Sequence, residues 1–248
     1  IALMVRERRA ADPIVPLHLL RSRTVAISSA ALFLATASLF SITVFVPLFL
    51  QATTGATPTQ AGLLLIPSML GITLSTNLAG RRIERTGRYK RYPLAGLALM
   101  SGALVLLGVL AGTPSRVATG VGIAVFGFGF GMVGQVLIVA VQNGVDRREL
   151  GVAMATTSFF RALGGAMGAA VLGAVFASRA GAGGADVTHG VQLVFLVAAP
   201  LALIALVLVR GLEEVPLRGA ERRDRDTPVR VAGEHRHRAP APRGERAA

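Results

Sequence analysis

The chain has 248 residues, of which 52% are hydrophobic and 16% are charged, and its formal net charge is +13. The hydrophobic share exceeds the roughly 45–50% that is usual for soluble domains. The charged residues cluster between apolar blocks, which argues against both a soluble enzyme and a nucleic-acid-binding domain. The chain has no cysteine, which excludes disulfides and thiolate metal sites, and we expect no cofactor.

The N-terminal segment does not resemble a signal peptide, which has a charged start, a short apolar region and a cleavage site. Residues 1–5 are apolar, and Arg6, Arg8 and Arg9 follow them. We interpret residues 1–5 as the last turn of an earlier membrane helix and residues 1–24 as a cytoplasmic connector. We therefore expect the C-terminal part of a longer protein, and the alternative is a naturally short protein.

Six apolar blocks are long enough to cross a bilayer, which needs roughly 20 apolar residues in a helix. None of them contains Asp or Glu, and none alternates with a period of two; they cover residues 25–50, 61–79, 93–111, 117–141, 152–177 and 191–209. Backbone polar groups in lipid must be satisfied within a helix or a closed barrel. The pattern predicts an all-α membrane domain of six helices over residues 25–210.

The basic residues indicate how these helices are oriented. Loop 51–60 contains no Lys or Arg, whereas the next loop contains Arg81, Arg82, Arg85, Arg88, Lys90 and Arg91. Rich and poor segments alternate at every crossing, and Lys and Arg favour the cytoplasmic side. The sequence predicts a multi-pass protein of a bacterial plasma membrane with both termini in the cytoplasm, and the preference for Arg over Lys is typical of a GC-rich bacterial genome.

The C-terminal segment, residues 211–248, is rich in Arg, Pro, Ala and acidic residues and has almost no aliphatic residue after Val231. Such a composition cannot bury a core, so we expect a disordered, basic cytoplasmic tail. We interpret His235 and His237 as solvated side chains and expect no metal site.

The six predicted helices fall into two classes. The third and sixth are plainly aliphatic, whereas the first, second, fourth and fifth carry Ser, Thr, Asn, Gln or clustered Gly. The order is a three-plus-three repeat, and three spans reverse the topology between copies, as in inverted-repeat transporters. We expect the plain helices to face lipid and the others to face protein or a cavity.

A loop motif connects the second and third helices and includes Gly80, Glu84, Arg85, Gly87 and Arg88. Gly80 permits close helix approach, and Gly87 permits a positive φ. The spacing resembles the G-x-L-A-D-R-x-G-R signature of the major facilitator superfamily, with Glu in place of Asp and with Arg82 in place of the usual Leu. The resemblance implies a gating loop, and the alternative is simple positive-inside anchoring.

Three further segments extend the resemblance to nearly the whole of residues 6–210. The first segment begins at Asp12, the second runs from Val46 past Gln51 to Pro67, and the third runs from Phe160 to Gly168. All three are similar to segments of 14-spanner drug:proton antiporters of the EmrB/QacA type. The resemblance implies the C-terminal half of a major facilitator fold that works by alternating access with an N-terminal half. It also implies efflux of a small hydrophobic or cationic compound, and export of an endogenous metabolite is equally compatible. The family arrangement places four helices around a central cavity and two supporting helices outside it.

Candidate site residues follow from these patterns. Ser41, Gln51, Ser68 and Gln135 are substrate-cavity candidates because they are polar side chains on the mixed helices. We interpret Arg161, the one charge inside a block, either as a cytoplasmic-gate contact or as an interfacial anchor. The spacing of four between small residues predicts close helix packing at Gly127, Gly131, Gly164 and Gly168.

The blocks contain no Asp, Glu, His or Cys, which argues against a membrane enzyme. The same absence means that a proton-coupled transporter must carry its proton on other helices. Two alternatives therefore stay open, a non-transporting structural or regulatory membrane domain and a homodimeric half-transporter.

Overall fold

The structure is a computed structural model that describes residues 22–112, 115–179 and 184–212. Every regular element in these ranges is an α-helix: α1 (Arg23–Thr54), α2 (Pro58–Leu63), α3 (Ile66–Thr86), α4 (Arg91–Leu110), α5 (Arg116–Gly144), α6 (Leu150–Ala177) and α7 (Gly184–Arg210). Six spans are long and apolar enough to cross a membrane. The prediction of an all-α, six-span membrane protein is confirmed. The expected upstream helix and disordered tail lie outside the described residues.

The second span is broken rather than continuous. It consists of α2 and α3, which are separated by a turn at Leu64 and Leu65. Pro67 lies just after this turn, and because it has no N–H it cannot bond the carbonyl group one turn before it. A capping box between Thr57 and Gln60 starts α2, where each side chain bonds the other residue's backbone N–H.

The six spans form a bundle with a back and a front. α4 packs against α5 and α7, and α1 packs against α5 and α7, so these four helices enclose the core. α3 packs on α5 and α6 packs on α1, so they stand on either side of the α1–α5 pair. We call the open side between α3 and α6 the front of the bundle and the α4–α7 side the back.

Serine hydroxyls join the helices of the back. Ser38 of α1 donates to the carbonyl oxygen of Ala198 in α7 at 3.2 Å, and Ser101 of α4 donates to that of Ala199 at 3.3 Å. All four residues are buried. Small hydroxyl side chains allow close backbones and add a bond between helices, which is how membrane helices associate without a hydrophobic driving force.

The contacts follow the three-plus-three repeat. When α1, α3 and α4 are matched to α5, α6 and α7, the α3–α5 contact corresponds to the α1–α6 contact, and α4–α5 corresponds to α1–α7. The α1–α5 and α4–α7 contacts correspond to themselves, as they would across a two-fold axis. The contacts depart from this two-fold symmetry in one pair: α6 packs on α7 more closely than α3 packs on α4.

Glycines of α5 bring α3 and α4 close to it. A Cβ atom at Gly127 would overlap the backbone of Ser68 in α3, and one at Gly131 would lie 2.5 Å from the carbonyl oxygen of Ile72. Gly129 faces the opposite way, against α4. No larger residue fits at these positions unless the helices move apart.

Glycines of α6 have the same effect on the α1–α6 contact. A Cβ atom at Gly164 would overlap the carbonyl group of Phe33, and one at Gly168 would lie 2.5 Å from the Cα atom of Ala37. The two helices are therefore in backbone contact near the middle of the membrane.

Candidate functional site

At one end of the bundle, α5 and α6 both meet α1. We call this the basic end because it contains Arg23, Arg210 and the basic residues of the loops after α3 and α5. Val25 of α1, Val141 and Val145 at the end of α5, and Ala153 of α6 form a separate buried cluster there. This cluster, which we call the basic-end cluster, joins three of the helices beside the front.

A polar contact lies directly beside the basic-end cluster. Ser29 of α1 and Thr157 of α6 are both buried, and their hydroxyl oxygens are 3.3 Å apart. Each residue lies one helical turn beyond a cluster member, Val25 and Ala153 respectively. The cluster and this hydrogen bond together hold α1 against α6 at the basic end.

Arg161 lies one turn beyond Thr157 on α6, and its side chain is exposed. It also precedes Gly165 by four residues, and a Cβ atom on Gly165 would contact the ring of Phe40 in α1. Arg161 therefore emerges at the edge of the α1–α6 contact, one turn beyond the Ser29–Thr157 pair. The structure thus puts the one charge within the apolar blocks near the basic-end cluster.

Two threonines of α1 face the front further from the basic end. On α1, Ser38 faces α7 and Phe33 faces α6, and helical periodicity places Thr36 and Thr43 between the directions of α5 and α6. Thr43 is exposed, and its hydroxyl bonds the carbonyl oxygen of Leu39 at 3.1 Å. The buried hydroxyl of Thr36 has no partner among the described residues. Neither threonine is among the site residues predicted from the sequence, although their spacing of two turns is a signal for a shared face.

The four cavity candidates are not in one place. Ser41 and Ser68 are buried; Ser41 bonds the backbone of its own helix, and Ser68 packs against Gly127. Gln51 and Gln135 are exposed, Gln51 in the last turn of α1 and Gln135 one turn beyond the α3-facing Gly131. Of these four candidates, only the two glutamines can be reached from outside the described bundle.

The first part of the loop motif, up to Arg85, belongs to α3. Gly87 ends the helix with φ of 68°, and its N–H bonds the carbonyl oxygen of Ile83 at 2.8 Å. Gly80 instead lies within α3, and no atom of the other described residues lies within 4 Å of a Cβ placed there, so no helix of the described bundle approaches it closely. The reason is that α3 continues past Gly80 for almost two turns before the chain reverses. Tyr89 fixes the turn because it is completely buried.

The charged members of the motif remain at the surface. Glu84, Arg85 and Arg88 are exposed, and Glu84 forms no ion pair with the described residues. The two arginines therefore lie at the basic end. This position is compatible with a gating contact and equally with an anchor at the membrane surface. Within the described ranges, no three His, Cys, Asp or Glu side chains are grouped as a metal site.

Comparison with known proteins agrees with this architecture. Residues 5–169 match the family described as the Major Facilitator Superfamily. The chain is 34% identical over 189 residues to a tetracycline resistance determinant of Streptomyces rimosus, covering 76% of this chain and 54% of that protein. It is 29% identical over 181 residues to the multidrug transporter protein MdtP of Bacillus subtilis, covering 73% of this chain and 33% of that protein.

A third relative is an uncharacterized MFS-type transporter, Rv1877 of Mycobacterium tuberculosis, which is 35% identical over 170 residues and is covered over 25% of its length. The chain thus spans between about a quarter and about half of these relatives. Two of the three are named as transporters, in agreement with the expectation that the spans hold no enzyme. The matched family, the six spans and the repeat agree, and the chain belongs to the major facilitator superfamily.

Proposed function

We propose that these six spans are the C-terminal half of an efflux transporter that exchanges protons for a small hydrophobic or cationic compound. The mechanism is alternating access, and the subtype is the 14-spanner drug:proton antiporter. One observation carries the proposal: in this major facilitator bundle the front is open between α3 and α6, while α1, α5 and α6 meet in the basic-end cluster. A transporter must close one end of its pathway at a time, and in this proposal the basic-end cluster contributes apolar contacts to that closure.

We propose that the basic end faces the cytoplasm of a bacterial cell. Arginine and lysine concentrate there, and such residues favour the cytoplasmic side of a bacterial membrane. In that orientation the basic-end cluster is proposed to belong to the cytoplasmic gate. Arg161, one turn beyond Thr157, then serves as a contact of that gate.

The partner in this proposal is a second helical bundle, the N-terminal half. α6 presents a stripe of small exposed residues at spacings of three or four, namely Gly151, Ala155, Ser158, Ala162, Ala166, Ala170 and Ala174. Such stripes let another helix approach closely. α3 presents large exposed side chains, including Met69, Leu70 and Leu74. Two bundles joined through α3 and α6 would enclose the front as a central cavity.

The proton-carrying groups are proposed to lie on that partner bundle, because the six apolar blocks contain no Asp, Glu or His. Arg161 has a defined place in this scheme. Once the partner bundle covers this cation, it needs an acidic group or a helix C-terminus opposite it, and the proposed partner can supply either.

The proposal is tested by drug accumulation in cells that lack their own efflux pumps, using tetracycline and a cationic dye with the whole transporter. We expect accumulation to fall and to be restored when a protonophore collapses the pH gradient. Arg161→Ala should lower efflux about tenfold, as for the loss of one charge-assisted bond, with unchanged insertion. Arg161→Lys should retain part of the activity, and Arg179→Ala is the matched control for loss of a charge. Normal efflux by Arg161→Ala would remove the gate assignment.

The homodimeric alternative is tested at the small-residue stripe. Because the chain has no cysteine, Ala166→Cys introduces a single thiol on α6. If a second copy of this chain occupied the stripe, oxidation would link two copies through this residue. We expect no such dimer, and a high yield of it would favour the homodimeric half-transporter.

A further inference from the structure

A groove lies on the side of α1 that faces away from the front. It has a volume of about 360 Å³ and is almost entirely apolar, and it is lined by Ala26, Ser29, Ala30, Phe33, Leu34 and Phe160. It lies between α1 and α6 on the basic-end side of their glycine contact. α6 thus contacts α1 closely at Gly164 and Gly168 but leaves space beside it nearer the basic end.

The direction of the groove excludes the transport pathway. Arg23, Ala26, Ala30 and Leu34 are spaced by three or four residues, so they lie along one face of α1. That face is directed toward α7, because a Cβ atom on Gly211 at the end of α7 would lie 3.8 Å from the Arg23 guanidinium. Most of the lining on α1 therefore lies on its α7 side, turned away from the face that carries Thr36 and Thr43.

Positive charge lies at the mouth of the groove. Arg23 and Arg210 are both exposed, and Arg210 directly precedes Gly211. Two arginines are therefore at the corner where α1 begins and α7 ends. Phe33 lies ten residues along α1 from Arg23, or about 15 Å at 1.5 Å per residue, which is the depth of an acyl chain below a headgroup.

We propose that this groove is a binding site for an anionic phospholipid of the leaflet at the basic end. Arg23 and Arg210 bind the phosphate group, and one acyl chain occupies the groove between Ala30, Phe33 and Phe160. An aromatic and small-residue groove suits a flexible alkyl chain, and the arginines provide the charge complementarity that a zwitterionic lipid would use less well. The site does not depend on the proposed transport activity.

Tryptophan fluorescence tests the site directly, because the chain contains no tryptophan. The Phe33→Trp variant has a single fluorophore, which lies in the groove of the full chain in lipid vesicles. Phosphatidylglycerol or phosphatidylcholine with brominated acyl chains then serves as the quencher. We expect brominated phosphatidylglycerol to quench this groove fluorophore with a relative affinity about fivefold higher for each contributing arginine.

Controls separate the site from general attraction to the basic end. The Leu99→Trp variant carries its fluorophore on α4, where position 99 is exposed, and reports ordinary annular lipid. Adding Arg23→Gln should reduce the phosphatidylglycerol preference about fivefold in the Phe33→Trp variant and leave the Leu99→Trp variant unchanged. Arg23→Lys should retain the preference, and it guards against a folding defect in the glutamine variant.

Three results would overturn the proposal. Equal quenching of the groove fluorophore by both lipids, or a preference that Arg23→Gln does not change, would remove the specific headgroup contact. Absence of lipid quenching in the Phe33→Trp variant, with normal quenching in the Leu99→Trp variant, would mean that protein rather than lipid covers the groove.

Discussion

The α3–α5 and α1–α6 contacts are equivalent under the three-plus-three repeat, yet they are built differently. In the first, glycines of the central helix α5 receive α3, and Thr76 of α3 donates to the carbonyl oxygen of Gly131 at 3.2 Å. In the second, glycines of the flanking helix α6 receive α1, and the contact opens into a groove toward the basic end.

Hydroxyl groups show the same difference. The described residues contain three buried hydroxyls without a partner, those of Ser28, Thr36 and Thr156, and all three are on α1 or α6. An unsatisfied buried hydroxyl costs about 1–3 kcal/mol. The two helices of the α1–α6 pair therefore carry buried hydroxyls without a partner, whereas α3 and α5 carry none among the described residues. We infer that the α1–α6 pair is the one that changes in the proposed transport cycle. The α3–α5 contact is expected to remain fixed.

The largest effect should come from Gly131→Ala. The added methyl group would meet Ser75 and the carbonyl oxygen of Ile72, so we expect the free energy of unfolding to fall by about 2–3 kcal/mol. Unfolding in a mixed detergent series measures this loss. Gly134→Ala on the same helix is the control, because Phe130 alone among the described residues lies near its Cβ position, at 3.9 Å. Equal losses for both variants would contradict a rigid α3–α5 contact.

Gly168→Ala should destabilise less. Its Cβ atom would lie 2.5 Å from the Cα atom of Ala37, but α6 can tilt into the space beside α1. We expect a loss of about 1–2 kcal/mol, measured in the same way. Gly173→Ala is the matched control, since no atom of the described part of the chain lies within 4 Å of its Cβ position. A loss larger than that of Gly131→Ala would reverse the ranking of the two contacts.

The smallest change in stability is expected from substitution of two threonines, Thr76 and Thr36. Thr76→Val removes the bond to Gly131 and should cost about 0.6 kcal/mol, the mean found for side-chain bonds between membrane helices. Thr36→Val removes a hydroxyl without a partner among the described residues and should be neutral or slightly stabilising. Thermal melting of the two variants in one detergent compares them. If Thr36→Val were the more damaging change, its hydroxyl would have a partner in the folded transporter.

Much of this fold could be predicted from the sequence, because span length and loop charge are local signals. The helix break at Leu64 and Leu65 also has a local cause in Pro67. The basic-end cluster could not be predicted, since Val25, Val141 and Ala153 are far apart in sequence and look like any other apolar residues. Ser41 and Ser68 were chosen for polarity alone, and polarity does not distinguish a cavity residue from a hydroxyl packed between helices.

In the proposed mechanism, the front opens alternately at its two ends. Single cysteines test it in the otherwise cysteine-free chain, at exposed Thr43 and at buried Ala153 of the basic-end cluster. The measurement is the rate of alkylation by N-ethylmaleimide, in the whole transporter, with and without substrate and a pH gradient. We expect opposite changes: whenever Ala153→Cys becomes more reactive, Thr43→Cys becomes less reactive. Alkylation rates that rise and fall together at the two cysteines would contradict alternate opening, and so would rates that change with neither substrate nor pH gradient.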